Sequence, residues 1–167
     1  MTDLHTAATR PTITFERRYE APVQDLWELW TTKEGFESWW GPEGFRVEVR
    51  QLDLRVGGAL SYAMIAAGAE QIAFMESAGM PTSTETRATF GAIEPLLRLT
   101  IRHVIDFIPG VAPYNNDVTV AFAAEGTHAT MMITVDAHLS EEWTQRAAAG
   151  WESQLTKLPA VLAARTK

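Results

Sequence analysis

The sequence predicts one α+β domain in which a long C-terminal helix lies across a mostly antiparallel sheet of seven strands. Apolar and polar residues alternate in several segments between residues 12 and 137, and a period of two is typical of strands. Two segments of helical spacing interrupt this pattern after the first strand, and one apolar stripe of helical period ends the chain. We expect a single domain over residues 12–167, preceded by a disordered N-terminal lead-in at residues 1–11.

Two short helices follow the first strand, which spans Thr12 to Glu20. Apolar residues recur at spacings of three and four from residue 23 to residue 30, as on one face of a helix. Thr32 is placed to cap a second helix from Lys33 to Trp40. Gly41-Pro42 ends that helix, since glycine permits a left-handed cap and proline cannot continue the helical hydrogen bonds.

The remaining strands form a meander. A hairpin begins at Phe45, turns at Gly57-Gly58 and continues from Ala59 to Ile65. The segment from Ala69 to Met80 breaks the alternation and suits a short helix or a structured loop over a sheet edge or cavity mouth, where it would act as a mobile lid. Four further strands follow: Thr84 to Ile93, Leu96 to Phe107, Asp117 to Ala124 and Thr127 to Ala137.

A long amphipathic helix ends the chain. Ser140 can accept backbone N–H bonds as its N-cap, and two glutamates follow at the positive end of the helix dipole. Pro159 should bend the helix or end its regular part near residues 155–158, because the proline ring clashes with the carbonyl four residues back. The apolar stripe that must pack against the sheet consists of Trp143, Ala147, Trp151, Leu155, Leu158 and Leu162.

Composition excludes several classes of function. The 167 residues include no cysteine, which excludes disulfides, thiolate metal ligands and a cysteine nucleophile and favours a reducing compartment. The formal net charge is −7 and basic residues form no long run, which argues against nucleic acid as a partner. No segment has the pattern of a membrane span or a secretion signal, so we expect a cytoplasmic protein that does not insert into membranes.

Three motifs accompany this order of elements: Trp39-Trp40-Gly41-Pro42, Gly57-Gly58 and Gly150-Trp151-Glu152-Ser153-Gln154-Leu155. Together they resemble the SRPBCC or START-like helix-grip superfamily. Within it, residues 12–164 resemble the branch named for the C-terminal domain of the heat-shock protein 90 ATPase activator. The resemblance implies a curved sheet that wraps the long helix and leaves a cavity between them, which many members use for an apolar ligand.

The inward face of the sheet supplies an apolar wall for such a cavity. On the fifth strand, one face is apolar except for a histidine and consists of Leu97, Leu99, Ile101, His103 and Ile105. Two adjacent indoles at a helix end cannot both face one core, so one of Trp39 and Trp40 should line the cavity or a contact surface. We expect the ligand-binding residues to be Trp40, Tyr62, Met64, Phe74, Met75, His103 and Trp151.

His103 is the candidate for chemistry among these residues. An isolated histidine on an apolar face is more often a satisfied core residue than a proton carrier, so the catalytic residues stay unassigned at this point. Its partner across the sheet is either Tyr62 or Glu85, and the spacing does not decide between them. The sequence has no metal-ligand spacing and no nucleotide-binding motif, so we expect neither a metal site nor a cofactor.

Three functions remain open. The first is a binding module for a small hydrophobic or aromatic ligand. The second, implied by START-like relatives, is an enzyme of cyclase, hydratase or hydrolase type that moves a proton through His103 in the same cavity. The third, implied by the branch name, is an interaction protein of heat-shock protein 90. The chain shows neither the preceding domain nor the asparagine-rich segment of the full-length activator, which argues against the third. The oligomeric state is also open, a homodimer included.

Overall fold

In the computed structural model, which describes residues 11–106 and 110–165, a seven-stranded antiparallel sheet carries the fold. Its strands lie in the order β1-β7-β6-β5-β4-β3-β2. They span Thr12–Tyr19 (β1), Phe45–Leu52 (β2), Ala59–Ala66 (β3), Ser83–Glu94 (β4), Arg98–Ile105 (β5), Tyr114–Glu125 (β6) and His128–Asp136 (β7). The predicted fold class is confirmed. The predicted N-terminal lead-in lies outside the described residues, except for Pro11.

Five helices lie in the described part of the chain: Val23–Thr31 (α1), Lys33–Trp39 (α2), Ala69–Ser77 (α3), Glu141–Leu155 (α4) and Leu158–Arg165 (α5). Both predicted cap residues act as caps, because Thr32 Oγ1 accepts from Gly35 N–H at 3.0 Å and Ser140 Oγ accepts from Trp143 N–H at 3.2 Å. The predicted C-terminal helix is divided into α4 and α5. Pro159 lies in the first turn of α5, where its missing N–H needs no partner. None of the helices described is long and apolar enough to cross a membrane.

Two irregularities in register bend the sheet. The pairing of β2 with β3 shifts between Val49 and Gln51, and that of β4 with β5 shifts between Phe90 and Ile93. Such bulges increase the local twist and curve the strand. One face of the sheet collects its buried apolar side chains, which include Phe15, Val47, Leu60, Phe90, Leu99, Ile101, Val120, Phe122, Met131 and Ile133.

The core on this face is built around Trp30, which is fully buried. Its ring lies near four other aromatic rings, with centroid distances of 5.2 Å to Trp39, 5.5 Å to Trp40, 6.2 Å to Trp151 and 6.5 Å to Phe122. Aromatic pairs at such distances contribute stabilisation beyond the area they bury. One aromatic cluster therefore joins α1, α2 and α4 to the sheet.

Both adjacent indoles at the end of α2 are buried, so the expectation that they cannot face one core is wrong. Trp40 is the C-cap of α2 and has extended backbone angles, with φ −69° and ψ 140°, so its side chain no longer follows the helical spacing of Trp39. The two rings meet edge to face with their centroids 5.2 Å apart. Trp39 Nε1–H donates to the Leu29 carbonyl at 2.9 Å. Trp40 lines a cavity, which agrees with the prediction that one of the two indoles does so.

The C-terminal half of α4 is tied to the turn that follows α2. Gly41 N–H donates to Gln154 Oε1 at 2.8 Å, and Glu43 N–H donates to Ser153 Oγ at 2.8 Å. Toward the other end of α4, Trp143 is only half-buried. The helix is therefore held closely at its C-terminal end, where these two bonds tie it to that turn.

The segment that breaks the strand pattern after β3 forms a helix, α3. A short helix was one of the two predicted alternatives, the other being a structured loop. It packs against β3, but none of its residues is buried and Phe74 is 64% exposed. An amphipathic face as weak as this gives the helix little to bury. Its mobility and its action as a lid stay predictions.

Candidate functional site

A cavity of about 180 Å³ lies between the curved face of the sheet and α4. Its lining is mostly apolar and includes a few polar side chains, which is the usual character of a small-molecule site. It is lined by Trp40, Pro42, Tyr62, Met64, His103, Ile105, Asn116, Val118, Ala147, Gly150, Trp151 and Gln154. Within the described residues, no cluster of three or more histidines and carboxylates could hold a metal ion.

The cavity exists because α4 presents small residues beside it. Ala147 and Gly150 both line the cavity and lie one helical turn apart, just before Trp151. A Cβ added at Gly150 would meet no atom within 4 Å, so the space beside this glycine is open. On the sheet side the lining consists of larger side chains, such as Tyr62 and Ile105. The small residues on α4 therefore shape this side of the cavity.

Three buried side chains form a hydrogen-bonded chain along the cavity. Trp40 Nε1–H donates to Tyr62 Oη at 3.1 Å, and Tyr62 Oη lies 3.0 Å from His103 Nε2. An indole N–H can only donate, so the tyrosine hydroxyl accepts from Trp40. Tyr62 is therefore the partner of His103, whereas Glu85 pairs with Arg50 at 3.1 Å.

Burial keeps this chain of groups neutral near pH 7. Loss of hydration lowers the pKa of His103 from 6.5 to about 4, against a smaller opposing effect of the Asp117 carboxylate. Burial also raises the pKa of the Tyr62 hydroxyl well above its ordinary value. Neither side chain is charged at neutral pH, so they present hydrogen-bonding groups to the cavity without net charge.

We expect the free energy of unfolding to fall by about 2–3 kcal/mol between pH 6.5 and pH 4.5 through His103 alone. In the unfolded chain this imidazole takes up a proton near its ordinary pKa of 6.5, whereas in the folded chain it stays neutral down to about pH 4. The unfolded state therefore binds more protons in this window, and stability rises with pH across it. Urea unfolding at pH 4.5, 5.5 and 6.5 measures the slope.

His103→Gln is the test variant for this pH dependence, because glutamine cannot take up a proton in that window. Its slope should be clearly smaller than that of the wild-type protein. His128→Gln is the matched control for the substitution itself, since His128 begins β7 away from the cavity lining, and its slope should stay steeper than that of His103→Gln. Identical slopes for the wild-type protein and His103→Gln would contradict the neutral, buried state of His103.

Five of the seven residues predicted to bind ligand lie together at this cavity: Trp40, Tyr62, Met64, His103 and Trp151. They come from the end of α2, from β3, from β5 and from α4. Strand alternation places Tyr62 and His103 on one face of the sheet, and the antiparallel pairing of β3, β4 and β5 brings them within hydrogen-bonding distance. The structure thus assembles most of the predicted set from four separate elements.

Phe74 and Met75 lie away from the cavity, contrary to the sequence prediction. Both belong to α3, where Phe74 projects into solvent. Met75 lines a separate groove of about 450 Å³ beside Trp143. The apolar residues of this segment follow no strand period, so alternation gave no means of assigning them to the inward face.

Two polar residues of the cavity were missed by sequence reasoning. Asn116 is 4% exposed and donates from Nδ2 to the Asp136 carbonyl at 2.8 Å. Gln154 is 5% exposed and accepts from Gly41, as described above. Period signals could have found both, since Asn116 lies two residues before Val118 on β6 and Gln154 lies three residues after Trp151 on α4.

Comparisons with known proteins agree with this fold. A protein from Chromobacterium violaceum is 22% identical, with a TM-score of 0.74 over 90% of this chain and 96% of that one. The AHSA1 protein from Silicibacter pomeroyi is 20% identical, with a TM-score of 0.72 over 93% and 99% of the two chains. An AHSA1-like protein from Aeromonas hydrophila is 19% identical, with a TM-score of 0.63 over 90% and 94%. At these identities the likeness shows the fold alone.

Comparison of sequences, unlike these structural likenesses, identifies the family of the chain. No curated protein matches the chain significantly. The family model described as Activator of Hsp90 ATPase homolog 1-like protein matches residues 20–163, which is most of the domain. The matched range runs from the end of β1 to α5 and includes every residue that lines the cavity. The chain therefore belongs to the family of Activator of Hsp90 ATPase homolog 1-like proteins.

Proposed function

We propose that this protein binds a small, mainly apolar or aromatic molecule in the cavity between the sheet and α4. The observation that carries the proposal is the cavity itself, which is shaped by Ala147 and Gly150 and lined mostly by apolar and aromatic side chains. Transfer of apolar ligand surface from water into such a site contributes roughly 25 cal/mol per Å² to the free energy of binding. The few polar groups of the lining then select the orientation and the identity of the ligand.

The size of the cavity suits a ligand of about one ring. An engineered apolar cavity of about 150 Å³ in another protein stays dry and binds benzene, and the cavity here measures about 180 Å³. Both aromatic and aliphatic groups are available for contact, because Trp40 and Trp151 lie beside Met64, Ile105 and Val118. We therefore expect a single aromatic ring with one or two small substituents to fit, and a fused polycyclic molecule not to fit.

Native mass spectrometry of freshly purified protein tests this proposal. The protein is exposed to extracts of lipids and of aromatic metabolites, and separately to ethylbenzene, acetophenone and a four-ring sterol. We expect one-to-one adducts with the one-ring compounds and none with the sterol. Failure of every one-ring compound to bind in solution, checked by calorimetric titration, would contradict the proposal.

A second candidate function is catalysis by His103, and the observation in its favour is the 3.0 Å contact between Tyr62 Oη and His103 Nε2. A general acid or base works best when its pKa lies near the operating pH. Here burial moves the two pKa values in opposite directions away from neutrality, with that of His103 lowered to about 4. The geometry allows proton transfer, but the environment favours a static hydrogen bond, so binding is the function we propose.

His103→Gln separates the two functions in a matched pair of titration and turnover assays on any compound that forms an adduct. For a binding protein we expect an affinity loss of about tenfold or less, the size of one hydrogen bond, and no turnover in either protein. For a catalyst the same change would leave affinity nearly intact and lower turnover by about 10²–10⁴-fold. Turnover in the wild-type protein that vanishes in the variant would overturn our preference for binding.

A further inference from the structure

We propose that Gln154 is the polar anchor of the cavity and donates a hydrogen bond from Nε2 to a carbonyl-type oxygen of the ligand. The ligand class is then a neutral one-ring compound that carries an acceptor oxygen, such as an aryl ketone or ester. This inference rests on the proposed function, because it names the chemistry that the same cavity recognises.

The orientation of the Gln154 amide is fixed by its neighbour. Gly41 N–H lies 2.8 Å from the amide atom assigned as Oε1. A backbone N–H can only donate, so the atom that faces it must be the oxygen and not the nitrogen. The NH₂ group of Gln154 is therefore directed away from the Gly41 contact.

The Nε2 atom of Gln154 is buried and finds no hydrogen-bond partner among the residues that the structure describes. Gln154 is 5% exposed and belongs to the cavity lining together with Gly150 and Trp151. Buried polar groups in folded proteins are almost always paired, and an unpaired donor carries a free-energy penalty. A ligand that offers an acceptor beside this NH₂ group removes the penalty, whereas an apolar ligand leaves it in place.

The rest of the lining indicates that the ligand is neutral. No lysine, arginine, aspartate or glutamate is among the twelve residues that line the cavity in the described part of the chain. A carboxylate or ammonium group brought into such a site would lose its hydration without gaining an opposite charge. The hydrogen-bonded chain of Trp40, Tyr62 and His103 carries no charge near pH 7. A neutral carbonyl oxygen therefore fits the free donor better than a carboxylate does.

Ethylbenzene and acetophenone form a matched ligand pair for the test, because they have nearly the same shape and differ in the acceptor oxygen. Calorimetric titration gives both dissociation constants for the wild-type protein and for Gln154→Met. We expect the ratio of the ethylbenzene constant to the acetophenone constant to be about tenfold smaller in the variant, the size of one hydrogen bond. A general loosening of the fold lowers the affinity for both ligands by a similar factor, and this factor cancels in the ratio.

Ser153→Ala is the matched control variant. Ser153 neighbours Gln154 on α4 and accepts a backbone N–H from the same turn, at 2.8 Å from Glu43, but it does not line the cavity. Its ligand ratio should equal that of the wild-type protein. If Gln154→Met does not fold, the side-chain NH₂ resonances of Gln154 in the wild-type protein give a second readout. They should shift strongly with acetophenone and little with ethylbenzene.

The outcomes separate this inference from the proposed function. Binding of both probes with the same ratio in wild-type protein and Gln154→Met, or equal shifts of the Gln154 resonances with both, would overturn the anchor role and leave the binding function standing. If neither ethylbenzene nor acetophenone binds, the binding function itself is overturned. A ratio that falls in Gln154→Met and stays constant in Ser153→Ala supports the inference.

Discussion

Replacing Trp151 with alanine should lower the free energy of unfolding by about 3–5 kcal/mol. The indole is 9% exposed and lies in the aromatic cluster, with ring centroids 5.2 Å from Trp40, 6.1 Å from Phe15 and 6.2 Å from Trp30. Truncation removes this apolar surface and leaves a hole that rigid neighbouring rings cannot fill. Because Trp151 joins α4 to both the sheet and the first two helices, the loss affects the whole domain. Chemical denaturation of the two proteins measures the difference.

Trp143→Ala is the control on the same helix. Trp143 is only half-buried, near the N-terminus of α4, and its ring lies 5.1 Å from the Arg146 guanidinium carbon. Loss of a partly exposed contact of this kind should cost about 1 kcal/mol. Equal destabilisation by the two substitutions, or a denaturation midpoint unchanged by Trp151→Ala, would contradict the described packing of α4.

Periodicity predicted the framework because the sheet and α4 each bury one face. The inward residues of β5 from Leu99 to Ile105 are buried as predicted, including His103. Alternation assigns Leu97 to the same face, but Leu97 is 59% exposed, because it belongs to the turn before β5. Its neighbour Leu96 adopts a left-handed conformation with φ 66°, which no strand pattern signals. Alternation therefore predicts a face well inside a strand and fails at its ends.

The candidate site was predictable to the extent that it lies on that framework. Tyr62 and His103 follow from strand parity, and Trp151 follows from the helical stripe. The polar residues Asn116 and Gln154 were missed because apolar periodicity counts only apolar side chains, although both lie in phase with buried neighbours. Their importance depends on tertiary contacts across 20 and 113 positions of the chain, which local pattern does not contain.

The cavity itself was the least predictable feature. It arises from small residues, Ala147 and Gly150, that face larger side chains on another element. Whether such a pair leaves a cavity depends on how closely α4 approaches the sheet, and the hydrogen bonds of Gly41 and Glu43 hold the helix to the turn between α2 and β2. Family resemblance implied a cavity at this place, but residue patterns did not give its size or its polar groups.

Filling the cavity should weaken binding without weakening the fold. Gly150 lines the cavity, and a Cβ added there meets no atom within 4 Å. A leucine at this position occupies the space that a one-ring ligand needs. Burial of one ring is worth about 1.5–3 kcal/mol and every 1.4 kcal/mol is tenfold in affinity, so binding should weaken by roughly 10–100-fold. Glycine is also unfavourable inside a helix by about 0.5–1 kcal/mol relative to alanine, so stability should not fall.

Calorimetric titration of acetophenone into the wild-type protein, Gly150→Ala and Gly150→Leu, with chemical denaturation of all three, tests the central claim most directly. Gly150→Ala is the matched control, since a single methyl group leaves most of the cavity open and should change affinity only a few-fold. We predict that Gly150→Leu loses acetophenone binding by at least about tenfold while its free energy of unfolding stays equal to or above that of the wild-type protein. Undiminished acetophenone binding by a stably folded Gly150→Leu protein would show that the ligand site is not the cavity between the sheet and α4.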